Sequence, residues 1–167
     1  MNRWKERPPE EQRLLNPGFC SLLLWHSARA HAAATTRRTG IAFEESFLVL
    51  PIILHRKTRE SLPLTTSTSL AVWLGRNPLA PSTIADRARA LVPFTKEAMR
   101  FGGAYGLLQF DQALMCANSD WRARMVSALQ DSSDEVRVCA KRAEFLGKWF
   151  AKTGNAETVL SLLGVQP

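Results

Sequence analysis

The stretch from residue 132 to residue 154 constrains this chain more than any other. Val136, Cys139, Ala140, Ala143, Leu146, Gly147 and Phe150 recur at three- and four-residue spacing and make one apolar helical face. Arg137, Lys141, Glu144, Lys148 and Lys152 make the other, with Glu144 four residues ahead of Lys148 in the favourable order for an ion pair. Ser132 and Glu135 have capping-box spacing and set the start, and Gly154 sets the end. Such a helix needs its apolar face covered. Gly147 inside that face predicts a second backbone approaching closely, with Phe150 turned inward and Trp149 at the edge. The stripe of cations reads as a solvated face rather than a nucleic-acid reader.

A second helix start stands at Asn16-Pro17, with Asn as N-cap and Pro at the first helical position. From there to about Thr35, the residues Phe19, Leu22, Leu23, His26, Ala30 and Ala33 share one face. A lone His on such a face is ordinarily a hydrogen-bonded core residue, and His26 has no neighbouring partner to support a ligand role. Residues 1–13 are polar with two prolines and read as a flexible N-terminal arm, leaving 14–167 as a single domain.

Residues 35–40 form a loop by composition. Residues 43–54 are apolar almost throughout, which means burial on all sides; Pro51 makes this a bent helix, with a strand as the alternative. His55-Arg56-Lys57-Thr58-Arg59 then forms a basic knot at the end of that element. Its cations either complement the C-terminal end of the helix dipole or form a contact patch for phosphate or an acidic partner. A hydroxyl of the 64–69 connector caps a helix over Leu70–Arg76. Ser82 or Thr83 caps another that runs through Val92 and stops at Pro93. Thr95 opens a third, loosened at its end by Gly102, Gly103 and Gly106. Residues 107–117 read as a β-hairpin around Asp111-Gln112, although that turn lacks an Asn-Gly or Asp-Gly signal. A short last helix over 156–163 closes at Gly164. Amphipathic windows dominate and clear period-2 alternation is absent. The expected fold is therefore mainly α, a compact single-domain helical structure with at most one short hairpin.

Composition narrows the function classes. The chain has 167 residues, 46% apolar and 22% charged, which excludes wholesale disorder and allows a core without disulfides or metal staples. The longest apolar run, residues 47–54, contains Pro51 and is far short of the ~20 residues of a membrane span. Arg3, Lys5, Glu6 and Arg7 lead into Pro8-Pro9 with no apolar region behind them, so no secretory signal is expected. Cys20, Cys116 and Cys139 are an odd number at wide spacing, which fits reduced thiols in a cytoplasm. Net charge is +7, and residues 1–59 hold 10 Lys/Arg against 5 Asp/Glu, so most of the excess lies in the first third. Such an excess suits nucleic acid or an acidic partner.

Catalytic patterns are missing. His26 and His31 are five apart, about 140° of helical rotation, and cannot share an ion as i,i+4 pairs do. There is no CxxC, HExxH, GxSxG or P-loop, and Gly102-Gly103-Ala104-Tyr105-Gly106 lacks the Lys-Ser/Thr that would hold phosphate. Cys20 and His26 fall on nearly opposite helix faces, and Glu44 and Glu45, being adjacent, point apart. The expectation is no enzyme, no cofactor and no metal.

Two segments carry a resemblance. The first holds LLNPGF and FLVLPIILHRKTRESLP; the second is AEFLGKWFAKTGNAETVLSLLGVQP. With Trp73-Leu74 and the segment 95–101 they resemble the small "three-component ABC system middle component" proteins of bacteria. The matching blocks are Leu15-Asn16-Pro17, then Phe47 through Pro51 with His55 and Arg59, then Leu146 through Phe150 with the closing Leu-Gly-Val-x-Pro. They cover about residues 14–167 in the right order. The resemblance implies Asn16, Pro17, Pro51, Gly147, Trp149, Phe150 and Gly164 as structural motif residues. It also implies an adaptor between an SMC- or Rad50-like ABC ATPase and an effector, often a nuclease, in Lamassu-like anti-phage or anti-plasmid systems. Winged-helix-like elements are described for such proteins, and a helix plus short hairpin over 95–117 would suit one. His55, Arg56, Lys57 and Arg59 are then candidate partner or DNA contacts. The competing reading is a small winged-helix DNA-binding regulator, with Arg122 and Arg124 as phosphate contacts.

Overall fold

The computed structural model describes residues 8–36 and 40–165. Most of the expected arm, Arg37-Arg38-Thr39 of the loop, and Gln166-Pro167 of the closing motif lie outside the described residues. The arm expectation is corrected at its inner end, where Pro9–Leu14 is a helix, α1. Asn16 then caps α2, Pro17–Ala34, its side chain accepting from the Gly18 N–H at 2.9 Å and the Phe19 N–H at 3.1 Å.

The centre of the molecule is α2. Packed around it are α4 (Val49–Ile53), α7 (Ala80–Ala104), α9 (Asp134–Thr153) and the strand β3 (Leu114–Ala117). It is therefore buried on more than the one expected face: Cys20, Ser21, Leu23, Leu24, Trp25, His26, Ser27 and Ala28 are all inside. Against α9 the approach is closest. A Cβ built on Gly147 would stand 2.1 Å from the Ser27 carbonyl oxygen, so the predicted close backbone contact is real. Cys139, Ala140, Ala143, Leu146 and Phe150 follow it into the core. The N-cap of α9 is Ser133, not Ser132: its hydroxyl accepts from Val136 N–H, while Ser132 Oγ turns back to donate to the Ala128 carbonyl.

Other helices also depart from expectation. The segment 43–54 does not bend at Pro51. It divides at Phe47-Leu48 into α3 (Phe43–Ser46) and α4, with Pro51 buried inside α4. Conversely, α7 does not break at Pro93 but runs 25 residues through it. Ser82 and Thr83 hydroxyls donate back to carbonyls within the first turn instead of capping. A proline in a helix interior costs ~3 kcal/mol. Pro93 is exposed, and the turns on both sides bury Ile84, Ala85 and Ala88 before it and Thr95, Ala98 and Met99 after it. That burial outweighs one missing hydrogen bond.

The expected hairpin is present: β2 (Leu108–Asp111) pairs antiparallel with β3 around Gln112-Ala113, with Gln112 at φ 52°. A third strand, β1 (Ile41–Ala42), was not foreseen. It adds to the other edge of β3, pairing Ile41 with Met115 and Ala42 with Leu114, for a sheet order β1-β3-β2. Gly40 permits this, because a Cβ there would lie 2.3 Å from the Met115 carbonyl oxygen. The remaining α-helices among the described residues are α5 (Arg56–Ser61), α6 (Leu70–Arg76, capped by a connector hydroxyl as expected, that of Ser69), α8 (Arg122–Gln130) and α10 (Ala156–Leu162). The fold is mainly helical with a small antiparallel sheet.

Trp149 corrects its own expectation: it is 1% exposed, not at the edge. Its indole N–H donates to the Thr68 carbonyl at 2.7 Å, and its ring meets Trp73 edge-on at 5.7 Å. Trp73 in turn donates to Ser61 O, and Arg142 to Leu62 O and Pro63 O. The segment from the end of α5 through the Thr/Ser-rich connector is thus tied to α9 and α6 through the carbonyls of Ser61, Leu62, Pro63 and Thr68, which explains how a polar loop lies against a core.

Candidate functional site

The basic knot opens a helix instead of closing one. His55 is the N-cap of α5: its Nδ1 accepts from the Thr58 N–H at 3.3 Å and lies 2.7 Å from Thr58 Oγ1, which in turn accepts from Arg87 Nη2. An acceptor role needs a neutral ring. Partial burial, with Arg87 and Lys57 nearby, pushes the His55 pKa down in that direction. Arg56 is exposed and paired with Glu60 one turn on, and Lys57 is exposed.

Arg59 is a correction. It is 3% exposed, its Nη1 donates to the carbonyl of Ile53, the last residue of α4, at 2.7 Å, and its Nη2 pairs with Glu135. The dipole-complement reading thus describes Arg59, through a hydrogen bond to a helix-end carbonyl. Arg59 is not available to an outside partner. Within the motif, His55, Arg56 and Lys57 remain at or near the surface.

Arg122 and Arg124 are exposed on the first turn of α8, with the Arg124 guanidinium 5.1 Å from the Trp121 ring centroid. They do not join the knot. Arg122 lines a furrow with Trp25, Arg29, Lys141 and Glu144, whereas Lys57 lines a different one with Asn77, Pro78 and Leu79. The candidate contacts therefore occupy two surfaces.

The furrow beside Arg122 contains a cluster that sequence reasoning missed. The Glu144 carboxylate accepts from His26 Nδ1 at 2.9 Å and from Arg29 Nη2, and Arg29 lies 5.3 Å over the Trp25 ring. The hydrogen bond from His26 is the main cause holding the Glu144 carboxyl below its ordinary range, against the opposing effect of burial. Glu144 was expected to pair with Lys148 along its own helix; it reaches across to α2 instead. The core-histidine reading of His26 stands, with a partner 118 residues away that no local window contains.

The groups weighed for chemistry have other surroundings. Burial, with Glu97 nearby, pushes the Cys20 thiol up to about 12, which suppresses a nucleophilic thiolate. Glu44 and Glu45 do point apart: Glu45 is buried and Glu44 lines an outer groove. Among the described residues, no three His, Cys, Asp or Glu side chains are grouped to hold a metal, and no helix is long and apolar enough to cross a membrane.

That outer groove, about 990 Å³, lies between α3, α7 and the C-terminal segment. One face of α7 supplies Ala85, Ala88, Arg89, Val92 and Lys96, with Arg89 paired to Asp86 at 2.7 Å; Phe43, Phe47, Leu160 and Val165 complete the apolar lining. Gly164, at φ 66°, turns the chain after α10 along this rim. The motif residues Asn16, Pro17, Pro51, Gly147, Trp149 and Phe150 are scaffold: a cap, a helix start and buried packing positions.

Compared with curated proteins and with solved structures, the chain gives no match. The family model of the ABC-three component (ABC-3C) system Middle Component 3 matches residues 4–167, nearly the whole chain and ten residues more at the N-terminal end than the motif blocks alone. The chain belongs to the ABC-3C Middle Component 3 family.

Proposed function

We propose that the protein is a non-catalytic adaptor subunit that links an SMC- or Rad50-like ABC ATPase to an effector such as a nuclease in a bacterial anti-phage or anti-plasmid defence system. The observation that carries this reading is membership of a middle-component family across residues 4–167. Two distinct surface features are compatible with it. Lys57 and the Glu60-paired Arg56 are exposed on α5, while the groove between α3, α7 and α10 is lined largely by apolar side chains with Glu44, Arg89 and Lys96 among them. An adaptor works by holding two proteins at a fixed separation, and close packing such as that of Gly147 against Ser27 favours a core that keeps its shape.

Co-expression with the ATPase and effector encoded beside it tests the reading. The expected outcome is a stable complex containing all three chains, with ATP hydrolysis or nucleic-acid cleavage belonging to the partners. A chain that purifies alone from that co-expression sinks it.

A small winged-helix DNA-binding regulator has one observation behind it, the exposed Arg122 and Arg124 that follow a helix and hairpin. Its test is a salt titration with duplex DNA. Each phosphate contact contributes about one unit to the log–log slope, so the double change R122E/R124E should flatten it by about two. Binding without that salt dependence removes this reading.

A further inference from the structure

Burial stops abruptly in one part of the chain. Met115 and Cys139 are in the core, and between them no residue is buried. That stretch contains α8, nine residues long. The shorter helices α6 and α10 each bury two apolar side chains, Leu70 and Trp73 in one, Val159 and Leu160 in the other; α8 buries none. Its Met125 and Leu129 are only half-buried.

Local chemistry does not make up the difference. A helix below about 12–15 residues is marginal in water unless tertiary packing supports it. No side chain caps the start of α8, and Arg122 and Arg124 put positive charge on its first turn, where the helix dipole disfavours it. Its last turn carries no cation of its own. Arg137 of α9 supplies one: Nη1 lies 3.5 Å from the Leu129 carbonyl and 3.4 Å from that of Gln130, and donates to Ser132 O, while Nη2 pairs with Asp134. At the other end the chain is fixed to the body. The Asn118 amide donates to Gly106 O at 2.8 Å, and its carbonyl accepts from the Trp25 indole at 2.9 Å. Between these two attachments, Arg122, Val126, Leu129 and Gln130 form one wall of the furrow, about 320 Å³, that His26, Arg29 and Glu144 also line.

We propose that α8 is a detachable strap: it unfolds locally while α2 and α9 stay packed, remains anchored at Asn118, is held shut by Arg137, and on release opens the furrow beside the His26–Glu144–Arg29 cluster. The furrow then has two states, one walled by α8 and one without that wall. This goes beyond the adaptor reading and does not depend on it.

Residue-resolved amide hydrogen exchange on the full chain tests it. The amides of residues 126–130 should exchange on the order of a hundredfold faster than those of Ala143, Leu146 and Phe150 in α9. Arg137→Ala should speed α8 by about a further tenfold and leave those α9 amides unchanged. Ser127→Ala changes an exposed position of α8 without touching the clasp; its higher helix propensity should slow α8 about twofold and α9 not at all. Exchange of α8 as slow as that of α9 overturns the strap, as does an α8 rate that Arg137→Ala leaves unchanged. So does a Ser127→Ala variant that slows both helices alike, because α8 then opens only with the whole molecule.

Discussion

A Cβ on Gly147 would lie 2.1 Å from the carbonyl oxygen of Ser27 and 3.0 Å from the backbone N of His31. No rotation of a side chain relieves a clash with backbone, so α2 and α9 would have to separate. Gly147→Ala is expected to destabilise the protein by about 3 kcal/mol, as overpacking does where neighbours cannot yield. Urea unfolding of the variant against wild type checks it, and an unchanged midpoint would mean the two helices are not in contact at this point.

Phe150 is fully buried, and truncation to Ala should cost about 3–5 kcal/mol through lost transfer energy and a residual cavity. At Trp149 a subtler change is informative. Trp149→Phe retains most of the ring but removes the donor to Thr68 O, for a loss of about 2 kcal/mol. Proteolysis between residues 61 and 69 should quicken in the same variant, because the connector loses a tether. Equal cleavage rates would show that Arg142 and Trp73 hold the connector without it.

The basic motif separates into parts that two variants distinguish. Arg59→Ala leaves the Ile53 carbonyl and Glu135 without their guanidinium and should lower stability by about 2 kcal/mol. R56E/K57E alters exposed side chains and should leave the melting temperature where it is while weakening partner association. Thermal melting and pull-down on both variants check the division. If R56E/K57E binds partners as well as wild type, the α5 surface has no part in assembly.

Glu45 makes stability depend on pH. Burial, with Glu44 adding to it and a hydrogen bond from the Ala42 backbone opposing it, pushes its carboxyl from the usual 4.5 up to about 7. The side chain is 2% exposed and its Oε2 lies 3.7 Å from His31 Nε2. The folded state therefore holds this proton more tightly than the unfolded chain. Its contribution is complete below about 4.5 and is lost as pH rises toward 7, at about 1 kcal/mol per pH unit within that window. Glu45→Gln removes the carboxyl and should flatten this part of the stability profile, read by urea midpoints from pH 4.5 to 7.5. A variant with the wild-type slope would move the effect to another group.

How much of this was legible beforehand follows from the range over which each signal acts. Asn16-Pro17, Ser69 and the apolar spacing of α9 are decided by residues within four positions of one another, and each gave the element the structure contains. Gly147 was legible too, because a glycine in an otherwise apolar stripe has a cost unless a neighbour needs the space. Even the hairpin over 107–117 could be read from two short apolar runs.

Other features depended on partners far away in the chain. Local rules end a helix at Pro93, yet α7 continues because packing on both sides of an exposed proline outweighs one lost hydrogen bond. Charge alone makes Arg59 a surface contact and Glu144 a partner of Lys148. Their actual partners are Ile53 and Glu135 for the one, His26 and Arg29 for the other, and α2 and α9 had to meet before Glu144 could choose. The groove likewise exists only through the meeting of α3, α7 and the C-terminal segment. The chain's own sequence determined where the α2 and α9 helices form and which side of α9 is apolar, since those are short-range choices of backbone and spacing. Tertiary structure decided which charges are buried, which tryptophan is a tether and where the outer groove lies, because each of those is a property of surfaces that only packing brings together.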